Sequence, residues 1–201
     1  MARRKVEVRR DEILRATVDE VEKRGFAHTR AADVAAALGV STGLIFYHFE
    51  SKDALLSAAF AYAAERDLER LDRAANGKGS ALRRLSRILG MYGPEGVGAG
   101  WALWIDAWAA ALRSPEMADV SRQLDVRWKD TVAAVIQQGV DSGEIGCDDP
   151  SGAAWRITAM LDGLAVQMTV HEGVLSRRQV NAWVRRTAAA ELGIEPGDLR
   201  S

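Results

Sequence analysis

The chain is poor in the residues that would cross-link or interrupt it. It has 201 residues with one cysteine, Cys147, and four prolines. One thiol cannot form an intrachain disulfide framework or a cysteine-based zinc finger, so a reducing compartment, the cytoplasm, is expected. So few prolines argue against a linker-rich chain. No window of about twenty apolar residues occurs, so no membrane span is expected. The start, Met1-Ala2-Arg3-Arg4-Lys5, is charged with no apolar stretch behind it, unlike a secretory leader. Strand signals are scarce, with no period-two run of β-branched residues. Net charge is nearly absent as well, at −1. That balance alone speaks against a polyanion partner, unless the charge is segregated along the chain.

Helical periodicity fills the chain instead. Ile13, Leu14, Val18 and Val21 make one face of a first helix, with Gly25 as its stop. Leu56, Phe60, Ala64, Leu68 and Leu71 make a longer stripe, and Leu82, Leu85 and Leu89 follow. Trp101, Trp104, Ile105, Trp108 and Leu112 recur at helical spacing, as do Met117, Val120, Leu124, Trp128, Val132 and Val135. Two last helices are expected over 150–171 and 177–192. Start signals agree: Ser51, Ser114-Pro115 and Asp149-Pro150 are N-cap candidates, and Ser176 with Gln179 has capping-box spacing. Nine helices, an all-α fold, are expected. The stretch Gly93 to Gly100 reads as a flexible joint between the fifth and sixth. It lacks the Gly-Lys-Ser/Thr ending of a phosphate loop and follows no strand.

Residues 31–50 carry the strongest signal. A short helix ends at Gly39, Gly39-Val40-Ser41 makes a three-residue turn, and Ser41 caps a second short helix. This is the layout of a helix-turn-helix. Val34, Leu38, Val40, Leu44 and Ile45 would fix the crossing, and Phe46 and Phe49 are read as core. The second helix fits a major groove about 12 Å wide. Its leading end offers Ser41, Thr42 and Gly43, where the missing side chain lets backbone approach DNA. Tyr47 and His48 lie at its far end, and Lys52 is placed to neutralise a phosphate. Tyr47 also fits a capping aromatic, and His48 a plain surface residue. The charge is indeed segregated: residues 1–10 hold Arg3, Arg4, Lys5, Arg9 and Arg10 against Glu7 alone. Such an arm either tracks DNA or is a solvated tail.

Gly25-Phe26, Thr29, Asp33-Val34-Ala35, Leu38-Gly39-Val40-Ser41, Gly43, Tyr47-His48-Phe49 and Ser51-Lys52 resemble the N-terminal signature of the TetR family of transcriptional regulators, over about residues 10–60. The resemblance implies a nine-helix fold with a helix-turn-helix DNA-binding head and a helical ligand-binding and dimerisation domain. We place the division at 1–56 and 57–201. It implies a homodimeric regulator, most often a repressor, that binds a palindromic operator in double-stranded DNA and answers to a small-molecule effector, without cofactor or metal. Thr42, Tyr47, His48 and Lys52 carry over as DNA contacts, beside Ser41 and Gly43. Arg30 stands where a second small hydroxyl residue is common, and it joins the candidate DNA contacts in place of that residue. Trp101 to Leu112, Arg127-Trp128, Gly139-Val140 to Gly143-Glu144 and Leu161-Asp162-Gly163-Leu164 are similar to the C-terminal domain of the family's BetI-type branch.

All six tryptophans lie between 101 and 183. Trp101, Trp104 and Trp108 share one helix face; they either fill core or wall a ligand pocket. Met91, Met117, Trp128 and Met160 join them as candidate effector-binding residues. An aromatic wall near Asp106 or Asp162 would suit a cation. The last two helices are expected to form the dimer interface through Trp155, Gly163, Leu164, Met168, Val180, Trp183 and Val184. The effector would favour a conformation with misplaced recognition helices, with the fourth helix as lever. An enzyme is disfavoured: there is no Glu-x-x-His, and no nucleophile–base set is suggested. A non-specific architectural DNA binder would need a broadly basic surface, whereas residues 1–56 hold ten basic and nine acidic residues.

Overall fold

The computed structural model describes residues 2–92, 98–171 and 173–199, with side chains over 9–91, 100–171 and 173–199. The helices are α1 (Ala2–Arg24), α2 (Ala31–Leu38), α3 (Thr42–His48), α4 (Lys52–Ala75), α5 (Ala81–Tyr92), α6 (Gly98–Ala111), α7 (Pro115–Asp141), α8 (Pro150–Val170) and α9 (Arg177–Leu192). No strand occurs among the described residues. The caps form at the expected places. Ser51 Oγ accepts the Ala54 N–H at 3.0 Å, Ser114 Oγ that of Met117 at 3.3 Å, and Asp149 Oδ1 that of Gly152 at 2.9 Å.

Two expectations need correction. The basic N-terminal segment is not an extended arm, because α1 runs back to Ala2. The side chains of Arg3, Arg4 and Lys5 lie outside the described ones. The glycine-rich stretch expected to be irregular over 93–100 is shorter, because α6 begins at Gly98. Its first five residues, 93–97, lie outside the described residues.

The chain divides into two compact units: residues 1–67 with 103–124, and residues 68–102 with 125–201. In the first, Ile13, Leu14, Val34, Ala35, Ile45, Phe49, Leu55 and Ala59 form one buried cluster. Burying each of the Ile, Leu, Val and Phe side chains contributes roughly 1.5–3 kcal/mol, and this cluster holds α1, α2 and α3 together. In the second, Leu68, Leu71, Leu85, Ile88, Val132, Ile136, Ile157, Val184 and Leu192 are buried, with the small Ala153, Ala154, Ala188 and Ala189 among them. Small residues let α8 and α9 approach closely.

Candidate nucleic-acid interface

The chain bends by 110° between α2 and α3, within the range of a DNA-binding helix pair. Gly39 makes the bend, with φ +65°, a left-handed conformation that costs a side-chain-bearing residue energy. The Val40 N–H donates to Ala35 O at 3.0 Å and closes the end of α2. Ser41, in extended conformation, then starts α3 by accepting the Leu44 N–H at 3.3 Å on its hydroxyl. Inside the bend Val34 and Ile45 are fully buried, and Leu38 and Val40 pack against the same cluster.

With Ile45 inward, α3 turns a set of other residues outward. Ser41, Thr42 and Gly43 are exposed, and Tyr47 is 75% exposed. A Cβ added at Gly43 meets only Ser41 Oγ, at 3.7 Å, so nothing within the protein demands a glycine there. The open space is available to a partner. The Tyr47 and His48 rings pack edge to face with centroids 5.2 Å apart, which orients the tyrosine. His48 and Lys52 are half-buried, and Lys52 opens α4.

Three arginines and one phenylalanine were less legible. Asp33 Oδ2 accepts the Arg30 backbone N–H at 2.9 Å, and the Asp33 carboxylate receives the Arg30 guanidinium at 3.2 and 3.3 Å. That guanidinium and the backbone N–H hold Asp33 below the usual carboxylate range. Asp33 thus supplies its half of a capping box by reaching back to the Arg30 N–H, its own N–H goes to Arg30 O at 2.9 Å in the absence of a hydroxyl at position 30, and Arg30 remains largely exposed beside the turn. Arg9 pairs with Glu12 at 2.6 Å, while Arg10 lies over the Phe49 ring at 4.9 Å, bringing one exposed cation against the residue that follows α3. Phe46, expected in the core, is 47% exposed. It stands next to the fully buried Ile45, about 100° further round the helix, and one turn after Thr42 and Gly43. An outward apolar ring there suits contact with a thymine methyl. Helical phase alone does not separate Phe46 from Ile45 and Phe49, which lie within one apolar stripe's width; the packing of Ile45 is what leaves Phe46 outside.

The candidate effector residues divide between the two units. Trp104, Trp108 and Met117 belong to the first, and Met91, Trp101, Trp128 and Met160 to the second. Met117 is buried, and the three tryptophans of α6 are half-buried. Within the first unit Trp104 packs edge to face on Phe60 at 4.9 Å and lies 6.1 Å from Trp108, and its Nε1–H donates to Asp67 Oδ2 at 3.1 Å. Asp106 accepts the Phe26 N–H. In the second unit the buried Lys129 sits 4.5 Å from the Trp155 ring centroid and is bonded to Asp125. Trp155, expected at the dimer interface, thus holds the chain's own ammonium against its ring. Burial pushes Asp162 up to about 6, with the Lys129 charge pulling it down and that of Asp125 pushing it up.

The residues expected at the dimer interface also divide. Trp155 and Trp183 are 49% and 44% exposed, Gly163 is exposed, and Leu164 and Met168 are half-buried. Val180 and Val184 are buried inside the chain. Their apolar area is spent on packing within one protomer, which removes them from the surface offered to a second copy.

Comparison with known proteins joins these observations. Residues 13–59 match the family model of bacterial regulatory proteins of the tetR family, and residues 81–193 match that of the BetI-type transcriptional repressor C-terminal region. The chain is 30% identical over 160 residues to the HTH-type transcriptional regulator BetI of Stenotrophomonas maltophilia, covering 78% of this chain and 79% of that one. It is 24% identical over 184 residues to the BetI of Escherichia coli, covering 89% and 91%. Among solved structures it resembles a transcriptional regulator from Saccharomonospora viridis in complex with choline, with TM-score 0.78 and 25% identity over 90% of this chain and 95% of that one.

Proposed function

This chain belongs to the tetR family of bacterial regulatory proteins, with a BetI-type C-terminal region, and from that membership we propose how its parts share the work of a ligand-responsive repressor. It binds DNA and regulates transcription; it is not an enzyme. The outward face of α3 reads base edges in the major groove through Thr42, Gly43 and Phe46, while Ser41, Tyr47, His48, Lys52 and Arg30 meet the backbone and set the register. One observation carries this reading. Fully buried Ile45 fixes the phase of α3, so its exposed residues are the small, polar and aromatic ones, over a glycine the fold does not need.

Residues 1–56 serve as the DNA-binding head and 57–201 as the ligand-binding and dimerisation domain. Two copies join through α8 and α9, with Trp155, Trp183, Leu164 and Met168 supplying the apolar contact and Gly163 allowing close approach. The two-fold axis then sets two recognition helices about one DNA turn apart, against a palindromic operator. The protein works in the cytoplasm. The effector sits against the Trp104–Trp108 face of α6 and is a small molecule with a cationic centre. The choline complex of the Saccharomonospora viridis regulator supports that chemistry.

The test is selection of duplexes by the full-length chain from a random pool, followed by footprinting and titration with choline chloride. An enriched inverted repeat with half-sites about one turn apart supports the reading. Enrichment of single half-sites, or none, overturns the dimeric operator. Operator binding that choline leaves unchanged, with no quenching of tryptophan fluorescence, overturns this choice of effector.

A further inference from the structure

Phe26 follows α1 at the turn into the DNA-binding helix pair, and its N–H donates to Asp106 Oδ2 at 2.7 Å, across 80 residues of sequence. The turn is otherwise closed on itself. The Gly25 N–H donates to Val21 O at 2.7 Å, and Gly25 O receives the Thr29 N–H at 3.1 Å and the Thr29 hydroxyl at 2.8 Å. Among the described residues, the Phe26 N–H is the donor of this turn that a side chain of α6 receives. The approach is close. Gly25 has φ +78°, and a Cβ there would stand 3.1 Å from Asp106 Oδ2, tight enough that the carboxylate would have to give. The Phe26 ring meets Phe60 edge to face at 6.1 Å, and Phe60 meets Trp104, two residues before Asp106. The turn is therefore held twice, once through its backbone by a charge-assisted hydrogen bond to Asp106 of α6 and once through its ring by Phe60 of α4, itself packed on Trp104.

We propose that Asp106 is a positioning residue for DNA binding, whose carboxylate ties the turn before α2 to α6 and so sets where the α2–α3 pair stands. This rests on the reading of α3 as the recognition helix and adds a residue that touches no DNA. Asp106 shares α6 with Trp104 and Trp108. A molecule that moves those rings moves the same helix, and the bond carries that shift to the head without passing through α4. A backbone N–H left without its carboxylate has only water to turn to, and the turn is then held by the Phe26 ring alone.

The test compares Asp106→Ala and Asp106→Asn with the wild-type chain on a duplex the wild type has selected. The readouts are affinity at several salt concentrations, thermal unfolding, and hydrogen exchange over residues 25–48. The amide oxygen of asparagine still accepts the N–H but without charge. Expected results are an affinity about tenfold lower for Asp106→Ala, at least half restored by Asp106→Asn, faster exchange at the Phe26 amide, and an unchanged salt slope. A residue that neutralised a phosphate would change that slope by about one. Affinity of Asp106→Ala within twofold of wild type overturns the proposal. So does a loss shared equally by both variants and accompanied by faster exchange throughout α1–α3, which would mark Asp106 as merely holding the head folded. A wild-type chain that selects no duplex overturns the recognition-helix reading, and this proposal with it.

Discussion

Both α2–α3 and α8–α9 are helix pairs with aliphatic inner faces, and each second helix begins at a capping serine, Ser41 in one and Ser176 in the other. Their outer faces differ. The first pair exposes Ser41, Thr42, Gly43, Phe46 and Tyr47, a set that is small or polar-tipped apart from one ring. The second exposes Trp155 and Trp183, large rings on a surface where most neighbours are alanine, glycine or arginine. The inner faces are interchangeable in chemistry, so what each pair does is decided by what is left outside. Small and polar groups suit a hydrated, charged groove, and broad aromatic area suits a second protein surface.

The largest effect expected is one the two pairs share. Ile45→Ala and Ile157→Ala each remove a fully buried side chain and are expected to lower stability by about 2–5 kcal/mol. Chemical denaturation checks this, and a loss below about 1 kcal/mol at either site would break the claim that both inner faces are tightly packed. The outer faces should then separate the pairs. Trp183→Ala is expected to weaken self-association by about 2 kcal/mol or more, as for an aromatic at the centre of an interface, with little change in helix content. Sedimentation of the variant at micromolar concentration reads it. Tyr47→Ala and Lys52→Ala are expected to leave the association state alone and to weaken operator binding by about 1–3 kcal/mol, Lys52→Ala also flattening the salt dependence. Loss of dimer in these two, or loss of DNA binding in Trp183→Ala at concentrations where it remains dimeric, would dissolve the comparison.

A smaller effect concerns Asp162 on α8. Burial holds its folded-state value at about 6, above its ordinary value of 3.8. The folded chain therefore holds this proton more tightly than the unfolded chain, so the group's contribution to stability declines as pH rises from about 4 to about 6 and stays low above that. Asp162→Asn removes the charge, and is expected to raise the denaturation midpoint at pH 7.5 more than at pH 5. An equal shift at both pH values would show that burial does not set the group's behaviour.

Most of the head was legible in the sequence because its determinants are local. Gly39 and Ser41, the aliphatic spacing of Val34, Leu38 and Ile45, and the cap at Ser51 lie within a few residues of what they organise. Errors arose where a residue's partner is distant or its phase is ambiguous. Phe46 looks like core by composition, and only the packing of Ile45 turns it outward. Val180 and Val184 look like interface, but the closeness of α8 and α9 within one chain buries them. Asp106 reads from the sequence only as an acid near the tryptophans, and its bond to the turn at Phe26, 80 residues away, is visible only in the fold.

The sequence by itself determined the nine helices found among the described residues, the caps at Ser41, Ser51, Ser114, Asp149 and Ser176, the helix-turn-helix bend and the family, because hydrophobic period and capping chemistry act over one or two turns of chain. Tertiary structure decided which side of each helix is left for a partner, that Lys129 lies against Trp155, and that Asp106 holds the turn at Phe26. The last two of these depend on contacts between residues 26 and 80 positions apart, and the first on packing between helices. No local period encodes them, and they exist only once the helices have packed.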